Sequence, residues 1–167
     1  MPSKPETSFY GRVNKRLPVD VHVEKMHNFY RGGTPDIWYS GPSGDLWAEY
    51  KWIPKLPVKQ TTPIKADLTG LQLLWLYDAW TKGRNVCVIV GSPQGCAILR
   101  DGAWRSDISH AEFKYTELQV TSWLIGQTHV LVATVSKDSG SVKSGVSYSN
   151  YLSHRSFIRD RTPPTDE

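Results

Sequence analysis

The chain has 167 residues, 39% of them hydrophobic, with seven tryptophans and eight tyrosines, which is enough apolar and aromatic surface for one well-packed domain. Only two cysteines, Cys87 and Cys96, and five scattered histidines occur, with no phosphate-binding glycine loop and no serine elbow. Disulfide-framework, zinc, nucleotide-triphosphate and serine-hydrolase chemistries therefore fall away, while a formal net charge of +4 and a sequence pI near 9.1 suit an acidic partner.

In chain order, residues 6–17 read as a short helix with Phe9, Tyr10, Val13 and Leu17 along one side, stopped by Pro18. Aromatic and branched residues predict strands at 19–26, 35–40 and 45–53. Residues 54–66 carry three prolines and three lysines in a loop too long for a mere connector, so substrate contact is expected there. Residues 67–82 form the best helix in the chain, with Leu68, Leu71, Trp75 and Ala79 as its packing stripe, Gln72 within that stripe, and Gly83 as its stop. Strands at 85–90 and 95–100 follow, joined by a turn that could bring Cys87 and Cys96 together as cross-strand neighbours. Their thiols read as reduced, which implies a cytoplasmic protein.

A helix over 109–125 and a strand at about 129–135 come next. Residues 137–149, rich in Ser, Gly and Lys, read as mobile and residues 161–167 as disordered, so a single domain is expected over 1–136 with a mobile tail over 137–167. A strand, a long connection containing a helix and then a further strand imply an α/β fold with a parallel crossover. The polar N-terminus and the short apolar run from Leu71 to Leu76, broken by Gln72, predict a soluble chain without signal peptide or membrane span.

The chemistry centres on one hairpin. Gly41-Pro42-Ser43-Gly44 is turn chemistry, and folding symmetrically about Pro42 and Ser43 sets Asp36 opposite Glu49 and Thr34 opposite Lys51. Opposed residues have Cβ atoms roughly 4.5–5.5 Å apart, and Glu49 and Lys51 share a face because strand side chains alternate. Two carboxylates that close repel unless a cation lies between them, and hard oxygen ligands suit magnesium or manganese. The Tyr50 carbonyl, between the two side chains, is a candidate third ligand. Such an ion lowers the pKa of a bound water and neutralises charge on a scissile phosphate, and Lys51 is placed to orient the nucleophile or to stabilise the pentacovalent transition state.

A purely structural reading makes Asp36 a turn residue and Glu49 with Lys51 a solvated polar face. Against it, the strand is apolar on both sides, with Trp47 and Ile53 beside Glu49 and with Leu46, Ala48, Tyr50 and Trp52 opposite. A strand of that kind is central, and its carboxylates need a partner or a metal.

Gly33-Thr34-Pro35-Asp36, Glu49-Tyr50-Lys51 and the later helix carrying Gln72 resemble the PD-(D/E)XK, or restriction-endonuclease-like, nuclease superfamily over roughly residues 6–99. Small chains of this motif order resemble phage or prophage junction-resolving, virus-type repair nucleases. The resemblance implies a mixed central sheet flanked by helices, a magnesium- or manganese-dependent DNA endonuclease acting on branched or duplex DNA, and a host-cytoplasm location if the gene is phage-borne. It also implies that Gln72 faces the catalytic strand and holds the attacking water or Lys51, where the alternative is an amide capping backbone. Glu6, on the inward stripe of the first helix, is the candidate further metal ligand, its alternative role being to complement the helix dipole; Glu24 is a substitute.

Between residues 51 and 84 the basic side chains Lys51, Lys55, Lys59, Lys65, Lys82 and Arg84 face only Asp67 and Asp78. Lys55, Lys59 and Lys65 are thus candidate phosphate contacts, with Arg12, Lys15, Arg16 and Arg31 extending the track, the alternative being an ordinary basic surface of a soluble protein. A resolvase would need a homodimer to cut two strands symmetrically. The competing functions are a non-catalytic DNA-binding or structural subunit of the same fold and, within the superfamily, a sequence-specific restriction-type endonuclease.

Overall fold

The computed structural model describes residues 5–26 and 32–129, which fall within one compact unit. Helix α1 spans Pro5–Asn14, strand β1 His22–Lys25, β2 Ile37–Gly41 and β3 Gly44–Trp52. Helix α2 spans Gly70–Thr81, β4 Val86–Ser92, β5 Gly95–Leu99 and α3 Glu117–Thr128. The five strands form one mixed sheet in the order β1-β2-β3-β4-β5, in which only the β3–β4 pair is parallel. The parallel crossover is made by the 54–66 loop and α2, as the strand–helix–strand pattern implies.

The hairpin register follows from the turn. Gly41 pairs with Gly44 and Ile37 with Ala48, the pairing expected from folding about Pro42 and Ser43. Side-chain alternation then divides the core in two. On one face α1 and α3 pack Phe9, Val13, Val120 and Leu124 against Tyr39, Leu46, Ala48, Tyr50 and Ile89. On the other, α2 packs Leu76 and Ala79 against Val86, Val88 and Val90, with Leu56, Ile64 and Ala66 from the 54–66 loop and Trp104 and Ile108 from beyond β5. Strand β4 is buried along its whole length, as a central strand covered on both faces must be.

Several boundaries differ from the sequence expectations. Strand β1 starts at His22 rather than 19 because Val21 N–H closes a turn onto the Pro18 carbonyl. The helix expected over 109–125 is split: a 3-10 turn at His110–Glu112 is followed by a two-way backbone bridge between Tyr115 and Cys96. That bridge holds the chain extended until Thr116 caps α3. In α2 the expected stripe holds at Trp75, Ala79 and, ahead of the helix, Leu68, all packed on the core, but not at Leu71. Leu71 is 57% exposed and Leu68 precedes the helix, while Leu76 and Ala79 are buried with Leu73 and Trp75 packed beside them. Cys96 lies opposite Gly91, so it is not the cross-strand neighbour of Cys87; both are buried free thiols, and burial pushes their pKa values up. The expected strand from residue 130 onward and the expected tail lie outside the described residues, and among the described residues no helix is long and apolar enough to cross a membrane.

Helix α1 is anchored by Phe9, whose ring lies against Tyr50 and Trp52 at centroid distances of 5.5 Å each. It fits because Gly91 has no side chain: a Cβ there would come within 2.7 Å of the ring. Phe9→Ala removes this buried ring and is expected to cost about 3–5 kcal/mol. Urea unfolding checks it, and a loss near zero would show that α1 contributes nothing to the core.

Candidate active site

Glu49 sits in the middle of β3 with its side chain on the α2 face, and only 1% of it is exposed. Its Oε1 receives two donors, Lys51 Nζ at 2.8 Å and the Gln72 side-chain amide from the first turn of α2. Its Oε2 is buried and meets no hydrogen-bond donor among the described residues. Asp36 lies just before β2, half-buried, and its Oδ2 accepts the Tyr50 N–H at 2.9 Å. The β2–β3 ladder ends at Ile37–Ala48, so Asp36 takes over the edge of β3 where strand pairing stops.

These placements shape the electrostatics. Burial, and then the charge of Asp36, push the Glu49 carboxyl up to about 7, against the hydrogen bond and charge of Lys51, with Glu6 adding a smaller push. Burial also works against the charge on Lys51, but the hydrogen bond and charge of Glu49, aided by Glu6 and Asp36, outweigh it and its pKa is raised. The site therefore carries more negative charge than Lys51 alone offsets.

That arrangement suits a hard divalent cation. Glu49 Oε2 needs a partner, Asp36 is close enough to repel it, and the N–H of Tyr50 points to the Asp36 edge. In a strand the N–H and C=O of one residue share an edge, so the Tyr50 carbonyl points there too. Among the described residues no three His, Cys, Asp or Glu side chains gather closely enough to hold a metal by themselves. An ion between Asp36 and Glu49 thus keeps most of its coordination for backbone oxygen, water or phosphate, as magnesium does. Glu6, half-buried in the first turn of α1, reaches Glu49 and Lys51 through its charge but does not complete a three-carboxylate cluster. Glu24, on β1, lies 3.5 Å from His22.

Two supports were not among the sequence candidates' assigned roles. Gly33 has φ +89°, and a Cβ there would collide with the Leu71 carbonyl at the start of α2, so the segment leading to Asp36 packs directly on that helix. This close approach lies beside the exposed Leu71. Thr69 is the N-cap of α2 in a reciprocal capping box with Gln72; the Thr-x-x-Gln spacing was the available signal. Gln72 thus caps backbone and also faces β3, where its amide meets Glu49 rather than Lys51.

The basic candidates separate. Lys55, Lys59 and Lys65 are exposed, on a loop whose Leu56, Ile64 and Ala66 point into the core. Arg12 instead makes a bidentate pair with Glu117 of α3, Nη2 to Oε1 at 2.7 Å and Nε to both oxygens at 3.0 Å, and Arg16 lies 3.9 Å from the same carboxylate. Lys15 is exposed, and Arg31 lies outside the described residues.

A carboxyl whose folded pKa exceeds its unfolded value binds its proton more tightly in the native state. Its contribution to stability is full below about pH 4.5 and is lost as the pH rises to about 7. The metal-free protein is expected to lose on the order of 3 kcal/mol through Glu49 across that window. Urea unfolding of wild type and Glu49→Gln checks it: the difference between them should change with pH, and a constant difference would refute the raised carboxyl.

No family model matches the chain, and no curated protein matches it. Among solved structures, it is similar to a Holliday junction resolvase from the archaeal hyperthermophile Archaeoglobus fulgidus, at 16% identity and a TM-score of 0.47, over 71% of this chain and 97% of that one.

Proposed function

We propose that the chain is a divalent-metal-dependent DNA endonuclease of the PD-(D/E)XK type, acting on branched DNA in recombination or repair. The observation that carries this is the buried Glu49 carboxylate, with one oxygen held by Lys51 and Gln72, the other without a donor, and Asp36 beside it. Asp36, Glu49 and the Tyr50 carbonyl would hold magnesium or manganese, with Glu6 as a further carboxylate within electrostatic reach. The chemistry a bound ion supplies is a water of lowered pKa and positive charge at the scissile phosphate.

The protein's own groups do the rest. Lys51 shares the face of Glu49 and orients water or phosphate, while Gln72 holds Glu49 in place. The exposed Lys55, Lys59 and Lys65, with Lys15, bind the DNA backbone without reading sequence. Because, among the described residues, no large insertion for base reading interrupts the strands, DNA structure rather than sequence is the expected determinant. Symmetric cutting of a junction would take two copies of the site in a homodimer.

Asp36→Asn and Glu49→Gln are each expected to slow cleavage by roughly a hundredfold or more while DNA binding survives. Lys51→Ala should slow it with manganese affinity retained. Supercoiled-plasmid cleavage with magnesium, manganese or chelator, together with calorimetric manganese titration, checks both. Intact cleavage by either carboxylate variant would point to a non-catalytic DNA-binding subunit and a contaminating nuclease.

The loop lysines are tested separately. In a Glu49→Gln background, replacing Lys55, Lys59 and Lys65 by alanine should make the log-affinity against log-salt slope shallower by up to about 2.7, at roughly 0.9 per phosphate contact. An unchanged slope in fluorescence anisotropy would show that DNA approaches from another side.

A further inference from the structure

The side-chain amide of Gln72 is held at both ends. Its Oε1 accepts the Thr69 N–H at 2.9 Å, while its Nε2 donates to Glu49 Oε1. Its own backbone N–H donates to Thr69 Oγ1 at 3.2 Å, and this bond holds Thr69 in the extended N-cap conformation, φ −69° and ψ 158°, that aims the Thr69 N–H at the amide. A side-chain amide has nearly the same shape either way round. Turned over, Gln72 would set its carbonyl oxygen against the carboxylate oxygen, acceptor against acceptor. The capping box removes that choice, because the carbonyl end is already committed.

Resting on the nuclease reading above, we infer that Thr69 is a positioning residue for cleavage. It sets the Gln72 amide so that Gln72 and Lys51 together occupy Glu49 Oε1 and leave Oε2 for the cation. The cap thus has a second role beyond starting a helix, since it decides which carboxylate oxygen is available.

The protein contains its own control. Helix α3 begins with the same box, in which Thr116 N–H donates to Gln119 Oε1 at 2.8 Å and Gln119 N–H to Thr116 Oγ1 at 3.2 Å. That helix packs on the opposite face of the sheet, and Gln119 is exposed. A cap lost there has the same structural cost without touching Glu49.

The experiment compares Thr69→Ala, Thr69→Ser and Thr116→Ala in the full chain. Thr69→Ala and Thr116→Ala should lower Tm by similar amounts. Only Thr69→Ala should slow magnesium-dependent plasmid cleavage, by about ten- to a hundredfold as for groups that orient a metal ligand, in kcat and not in KM for DNA. Thr69→Ser should restore the rate, because its hydroxyl remakes the box.

A second readout needs no catalysis. In the 15N spectrum the Gln72 side-chain amide, assigned by its loss in Gln72→Leu, should show two separated proton signals in wild type. These should converge toward solvent-exposed positions in Thr69→Ala and remain separated in Thr116→Ala. Cleavage by Thr69→Ala at the rate of Thr116→Ala, or an unmoved amide signal, would overturn the role given to Thr69. Absence of any cleavage by wild type with either metal would instead overturn the nuclease reading itself.

Discussion

Burying a carboxylate on a central strand costs several kcal/mol unless charge and hydrogen bonds compensate it, and the middle of this sheet is organised around that cost at Glu49. Compensation is partial. Lys51, two residues further along the same face, supplies the opposite charge, and Gln72 supplies a neutral donor, but both reach the same oxygen. Asp36 works in the other direction and, with burial, pushes the Glu49 carboxyl up to about 7. A core selected for stability alone would have placed an apolar residue there, as at Val86, Val88 and Val90 on the neighbouring strand. A buried carboxylate only partly compensated, with a second carboxylate beside it, is an arrangement found more often at functional sites than in cores selected for stability.

The topology explains why these groups meet. The parallel β3–β4 pair requires a crossover, and the chain makes it with α2, whose first turn returns to the β3 residues that carry Glu49 and Lys51. Two independent segments then register on that turn. Gly33 packs its backbone against Leu71 and so fixes the approach to Asp36, and Thr69 fixes Gln72. Asp36 and the Gln72 partner of Glu49 therefore share one support at the start of α2.

Much of this was legible in the sequence because it is local. The Gly-Pro-Ser-Gly turn dictates the β2–β3 register, and a register with period-two alternation dictates which side chains share a face. Glu49 and Lys51 follow from those two facts alone. What was not legible depends on contacts between distant segments. Leu71 looks like a core residue by helical spacing, and Trp75 and Ala79 of the same stripe do pack on the core, yet Leu71 stays outside where the Gly33 segment lies against its backbone and Leu76 is buried. The apolar pattern over 109–125 looks like one helix, but pairing of Tyr115 with Cys96 holds part of it extended. No local pattern announces a bridge from Tyr115 back to Cys96 across the rest of β5 and two 3-10 turns.

Charge is the property for which sequence counting is least informative, because it ignores pairing. Arg12 and Arg16 count toward the basic excess, yet both lie beside Glu117, far along the chain, and serve to join α1 to α3. Lys51 counts as well, although Glu49 holds it. Among the described residues, the lysines of the 54–66 loop by contrast stay exposed and pair with no carboxylate, while its Leu56, Ile64 and Ala66 are buried. Within the proposed mechanism the same logic extends to Lys51: a divalent ion at Oε2 would neutralise Glu49, weaken its hold on the ammonium group, and leave Lys51 able to turn toward a phosphate. Metal binding and phosphate binding would then be coupled through one carboxylate, each favouring the other.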